Sequence, residues 1–180
     1  MKHHSFLAAA SLMFLGSIAT GAAVPQGQKA PPAKLSPELL AKNIGDLTPE
    51  EEDLFSQATE ATIERVCIAC HPFENITKTR RTVREWNDQV TTMAQRGAPG
   101  TDPDFALIKK YLTRYYGIVR VNTASAEELS AVLGLPPKVA AAVVEYRTTN
   151  GKFADIAALE KVAGVDKAKL EEQPEALRFD

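Results

Sequence analysis

The chain's only two cysteines stand three residues apart, and a histidine comes immediately after them: Cys67-Ile68-Ala69-Cys70-His71. No other stretch restricts the fold so tightly. Two thiols at that spacing reach the two vinyl groups on one edge of a porphyrin and form thioethers, and the next residue sets an imidazole beneath the iron. The stretch therefore reads as the attachment site of one covalent haem c, with Cys67 and Cys70 as thioether donors and His71 as proximal iron ligand. Two other readings stay open: a redox-active cysteine pair, or half of a zinc site. A four-thiolate zinc site is excluded because no further cysteine exists. The flanks also lack the strand–turn–helix setting that a thioredoxin-like pair needs.

The start of the chain reads as a secretory leader. Met1-Lys2-His3-His4 is weakly basic, residues 5–20 carry no charge and are rich in Phe, Leu and Ala, and Gly21-Ala22-Ala23 supplies small residues for cleavage. The apolar run is short for a membrane span, which needs about 20 residues. A signal peptide over residues 1–23 predicts a periplasmic protein with no stable membrane span after cleavage; an uncleaved anchor is the alternative. Residues 24–46 hold four prolines and no sustained period, which predicts a flexible linker in which Pro37-Glu38-Leu39-Leu40 offers a helical turn. Cleavage would leave one histidine, His71, and one methionine, Met93.

Helix signals dominate residues 47–118. Thr48-Pro49-Glu50-Glu51 starts a helix running to about Val66, with an apolar stripe on Leu54, Ala58 and Ala61. Thr82-Val83-Arg84-Glu85 starts another, which places Val83, Trp86, Val90 and Met93 on one face and stops at Gly97. A third runs from Thr101 or Asp102 to Tyr116, with Phe105, Ile108, Leu112 and Tyr115 as its stripe. Three helices suffice for a domain of about 75 residues when a flat apolar group supplies part of the core. Trp86 either packs or bonds a propionate, and the cluster Arg80, Arg81 and Arg84 is either a propionate partner or a solvated face.

With the haem motif, Trp86, Met93, Tyr111-Leu112 and Tyr115-Tyr116-Gly117, residues 47–118 resemble a class I c-type cytochrome. The likeness is to the small haem domains of quinoprotein dehydrogenases. It implies a methionine as sixth iron ligand, and Met93 is the one methionine left after cleavage. A core methionine beside an open or weakly ligated iron is the other reading of that residue.

From residue 119 the pattern changes to short helices and repeated turns. Leu133-Gly134-Leu135-Pro136 and Ala163-Gly164-Val165-Asp166 recur 30 residues apart, each between helical segments. Together with Val121-Asn122-Thr123-Ala124, Glu145-Tyr146-Arg147 and Asn150-Gly151-Lys152-Phe153, they make residues 119–180 resemble the ComEA-type tandem helix-hairpin-helix domain of competence proteins. That family presents Gly-apolar-Gly turns whose N–H groups bind DNA phosphate. Here Pro136 has no N–H and Asp166 brings negative charge. Residues 121–180 hold seven Lys/Arg against ten Asp/Glu.

The expected fold is all-α: a small cytochrome c helical domain around one covalent haem, then a tandem helix-hairpin-helix domain. The expected function is a periplasmic single-haem electron carrier, not an enzyme. Its partner would be a redox protein such as a quinoprotein dehydrogenase or a terminal acceptor, with the second domain for docking or structure. The alternative is a competence-type DNA-binding protein carrying a haem, disfavoured by Pro136 and Asp166. A net charge of −2 also argues against a general polyanion binder.

Overall fold

Four capping boxes punctuate the chain, and each becomes a helix start in the computed structural model, which describes residues 35–180. The leader expected over residues 1–23 and the linker as far as residue 34 lie outside the described residues.

The helices before the first box are short. Ser36 accepts from the Leu39 N–H and opens α1 (Pro37–Ala41), and a 3-10 turn comes next at Ile44–Asp46. Residues 37–46, expected as part of a flexible linker, are therefore folded, with Leu39 and Ile44 buried. Lys110 Nζ donates to the carbonyls of Leu40, at 3.2 Å, and Lys42, and this ties the segment to the third long helix.

The Thr48 box opens α2 (Pro49–Val66), and Cys67 is its C-cap. Its buried face is Phe55, Ala58, Thr59, Ile63 and Val66, whereas Leu54 is exposed. The expected stripe on Leu54, Ala58 and Ala61 is thus rotated toward Phe55, the larger ring and the better core filler. After the Cys-x-x-Cys-His turn comes α3 (Glu74–Thr77). The Thr82 and Thr101 boxes open α4 (Val83–Gln95) and α5 (Asp102–Tyr116), and Gly97 takes a φ of +89° just after α4. Phe55, Ile63, Val66, Trp86, Val90, Ile108 and Leu112 form a first core between α2, α4 and α5.

Residues 119–180 build a second core. The elements are β1 (Val119–Arg120), α6 (Ala126–Leu133), α7 (Pro137–Asn150), α8 (Ile156–Leu159), α9 (Lys167–Glu172), a 3-10 turn (Pro174–Ala176) and β2 (Leu177–Arg178). Leu129, Val132, Leu135, Val143, Phe153, Leu159 and Leu170 fill the interior. Asn122 is buried and fully employed: its amide donates to Phe153 O (3.0 Å) and Phe179 O (2.7 Å), and its oxygen accepts from Phe153 N–H at 2.8 Å. The all-α expectation meets one exception. Val119–Arg120 pairs in parallel with Leu177–Arg178, too short a pair to leave any period in the sequence.

Hydrogen bonds gather where the first core passes into the second. The N–H of Arg81 donates to Tyr116 O (3.2 Å), and the N–H of Ile118 returns to Arg81 O (2.9 Å). Arg80 donates to the carbonyls of Tyr115 and Gly117 and pairs with Glu175.

Candidate functional site

The sequence-predicted haem residues converge. Cys67, Cys70 and His71 come from the turn after α2, Met93 comes from α4, and all four line one cavity of about 540 Å³. The remaining wall is largely apolar, with Val90, Phe105, Ile108 and Leu112 from α4 and α5. Lys78, Arg81 and Arg96 add positive charge to the lining. Two thiols, an imidazole, a thioether, an apolar wall and cations form a donor set that fits a flat apolar macrocycle with anionic substituents. Among the described residues, no group of three or more His, Cys, Asp and Glu gathers as a metal site, so half a zinc site finds no completing ligands there.

The turn itself is held by short-range bonds. Cys67 and Ile68 N–H both reach Ile63 O (2.8 and 3.2 Å), and Cys70 N–H reaches Cys67 O at 3.3 Å. Cys67 is half-buried and Cys70 exposed. Burial pushes the Cys67 thiol up, and the neighbouring Cys70 adds to the shift. His71 Nδ1 lies 3.3 Å from Pro72 O.

Trp86 is fully buried, and its indole Nε1–H donates to Tyr116 O at 2.9 Å. It packs, and its one donor goes to the junction. The arginine cluster divides. Arg81 lines the cavity and lies over the Trp86 ring at 4.9 Å. Arg80 turns to the junction, and Arg84 is 89% exposed beside Asp88. Arg96 and Lys78 stand in no motif, so no sequence signal marks them as cavity residues.

In the C-terminal half the two turns sit at helix starts as expected. Gly134 takes φ +64° and Gly164 φ +88°. Pro136 precedes α7 without a side-chain cap, and the Asp166 side chain caps α9 by accepting from Ala168 N–H at 2.9 Å. Val139 packs on Gly164, where a Cβ would come within 2.9 Å of Val139 Cγ2.

Residues 116–178 match the helix-hairpin-helix motif family, so this half is a helix-hairpin-helix domain. Among curated proteins, ComE operon protein 1 of Bacillus subtilis is 39% identical over 54 residues, 30% of this chain and 26% of that protein. An uncharacterized protein of Haemophilus influenzae is 37% identical over 62 residues, 34% of this chain and 55% of its own length. The endonuclease/exonuclease/phosphatase family domain-containing protein 1 of Danio rerio is 38% identical over 53 residues, 29% of this chain and 10% of that protein. The chain thus spans between a tenth and about half of the length of these relatives. No solved structure matches it.

These matches correct the functional expectation. The matching family is the helix-hairpin-helix motif and one of the relatives is a ComE operon protein, and neither a cytochrome nor a quinoprotein partner is among the matches. The electron-carrier reading, with the second domain as a mere docking module, is overturned in favour of the competence-type alternative. Pro136 and Asp166 do not outweigh these matches, because the fold tolerates both while keeping its turns and its core.

Proposed function

We propose that this chain is an exported DNA-binding protein of the competence class, acting through its helix-hairpin-helix domain, with no enzymatic activity of its own. The observation that carries the reading is the match of residues 116–178 to the helix-hairpin-helix family together with the likeness to ComE operon protein 1. Such a domain holds phosphate oxygens through backbone N–H groups and lysines around its turns, so it reads backbone and not base sequence. The acidic balance of residues 121–180, seven Lys/Arg against ten Asp/Glu, predicts modest affinity that falls steeply with salt. Duplex DNA binding by the full chain at two salt concentrations tests this. Affinity that drops at the higher salt and is indifferent to sequence supports it; no binding at the lower salt refutes it.

A second part of the proposal concerns the cavity. Cys67 and Cys70 would hold a haem c through thioethers, His71 would take the proximal iron position and Met93 the distal one. When bound, the haem supplies a redox- and ligand-responsive iron. The chain's own contribution is a largely apolar lining and the cations Lys78, Arg81 and Arg96 for the propionates. What supports this is the convergence of all four residues on one cavity. A pyridine haemochrome assay on denatured protein, produced in a host that attaches haem c, checks it. Colour that stays with the wild-type chain and is lost in Cys67→Ala/Cys70→Ala is the expected result. A colourless wild type refutes the cofactor and leaves the DNA reading standing.

A further inference from the structure

The two turns of the helix-hairpin-helix domain are related in sequence but not in surroundings. The first, Leu133–Pro136, is covered by the cavity-bearing half. Gly45 of the Ile44–Asp46 turn stands so close that a Cβ there would lie 2.2 Å from Leu135 O and 2.7 Å from Pro136 N. Asn43 Oδ1 lies 3.0 Å from Ser130 Oγ, and Ser130 Oγ donates to Leu135 O at 2.6 Å. A third contact comes from α5: a Cβ on Gly134 would meet Arg114 Nε at 2.8 Å. Leu133 and Leu135 are buried in the C-terminal core itself, and the contacts from Gly45 and Arg114 close over their backbone and over Gly134. A duplex phosphate reaches these backbone groups only if residues 43–46 and Arg114 move away.

The second turn is open. Ala163, Gly164 and Asp166 are exposed, and among the described residues no hydrogen bond or ion pair joins residues 163–166 to the cavity-bearing half. Lysines flank it on both sides. Lys161 is exposed and Lys169 half-buried, and neither forms an ion pair among the described residues. Lys167 is engaged instead, 3.7 Å from Glu160 and 3.5 Å from Glu171.

Resting on the DNA-binding reading above, we infer that the first turn is the socket that seats the cavity-bearing half, and that duplex DNA is contacted through the second turn alone. The chain then touches a shorter run of phosphates than a tandem with both turns free. Lys161 and Lys169 carry the electrostatic part, because their charges are not spent within the protein. Each phosphate neutralised contributes about 0.9 to the slope of log affinity against log salt.

The test uses the full chain and a fluorescent duplex of about 20 base pairs, read by anisotropy over a salt series. Amide hydrogen exchange is followed with and without the duplex. Lys161→Ala/Lys169→Ala is expected to weaken binding several-fold and to lower the salt slope by about 2. Exchange is expected to slow over residues 161–169 on adding duplex and to stay unchanged at Leu133, Gly134 and Leu135. Wild-type affinity in the double variant, or slowed exchange at those first-turn amides, overturns the inference while DNA binding stands. No anisotropy change for the wild type at low salt overturns both readings together.

Discussion

Gly134 and Arg114 share one space: a methyl group on Gly134 would stand 2.8 Å from Arg114 Nε and 3.2 Å from Nη2. Arg114 belongs to α5 and Gly134 to the turn after α6, so the contact joins the two halves of the chain. The Arg114 side chain is almost wholly buried, yet the nearest carboxylate, Glu52, lies 3.5 Å away. With its amide turned so that the oxygen faces the guanidinium, Gln173 completes the surroundings, accepting from Nη1 at 2.6 Å and donating to Arg114 O at 3.1 Å, and the Tyr115 ring lies at 5.3 Å. Arg114 Nε has no partner among the described residues. A buried cation so placed is held by shape as much as by charge.

The pair lends itself to a double-mutant cycle. Gly134→Ala places a side chain at φ +64° and against the guanidinium. It should lower stability by about 1–2 kcal/mol from backbone conformation alone, with the displaced guanidinium adding to that. Arg114→Ala should lower it by about 2–4 kcal/mol through lost packing. Because removing the guanidinium makes room for the new methyl, the double variant should be more stable than the two single losses added together. Urea unfolding of the four proteins reads the coupling. Strict additivity would show that Arg114 swings aside freely.

Asn122 is the polar keystone of the C-terminal core. Its three hydrogen bonds reach the backbone of Phe153 and Phe179 at 2.7–3.0 Å. Asn122→Ala strands one N–H and two carbonyls in a buried site, a loss of about 2–3 kcal/mol. Asn122→Asp should be worse, since it sets a carboxylate oxygen against two carbonyl oxygens. Thermal unfolding of both variants checks the order; an aspartate variant as stable as wild type would contradict it.

Acid should unfold the protein partly through its capping carboxylates. The Glu85 carboxyl is held below its usual range, first by the Thr82 N–H and then by the Thr82 hydroxyl, with Arg81 and Arg120 adding to the effect. A carboxylate whose folded value is depressed stabilises the fold above its unfolded value, and that stability is lost as pH falls through the folded one. Glu85→Gln keeps a hydrogen-bond acceptor but not the charge. The gap between wild type and Glu85→Gln in urea midpoint should therefore be present at about pH 7 and close toward about pH 3. A gap of constant size would assign the effect to geometry alone.

The two thiols should differ in haem-free protein. Burial and the adjacent Cys70 raise the Cys67 thiol, so less of it is thiolate at a given pH. Cys67 is also half-buried, whereas Cys70 is exposed. Iodoacetamide at about pH 8 should label Cys70 first, as peptide mass spectrometry would record. Covalent haem should block both. Equal rates would mean that the turn opens faster than it reacts.

Much of this architecture is legible because capping is local. Thr48 with Glu51, Thr82 with Glu85, Thr101 with Asp104 and Ser125 with Glu128 mark helix starts by residues three apart, and all four form. The two glycine turns are equally readable, since φ above zero at Gly134 and Gly164 favours that residue. Cys67, Cys70, His71 and Met93 are marked by a motif and by Met93 being the single methionine outside the expected leader. What stays hidden depends on long-range packing. Whether Leu54 or Phe55 faces inward is settled by the neighbouring helices. The burial of Arg114 runs against its charge, and the folding of residues 37–46 depends on Lys110 and on the first turn. Function is easily misread here because a strong five-residue motif competes with a domain-length likeness.

The parallel pairing of Val119–Arg120 with Leu177–Arg178 sets an order of events. A chain emerging from its amino end can bury α2, α4 and α5 against one another while residues 177–178 are still unmade. The strand at the junction must wait for them, as must the Arg178 carbonyl that Val121 N–H reaches at 2.9 Å. The cavity can therefore be assembled before the second half closes. Loss of residues 177–178 by proteolysis would then unlatch the junction while leaving the cavity's own walls in place.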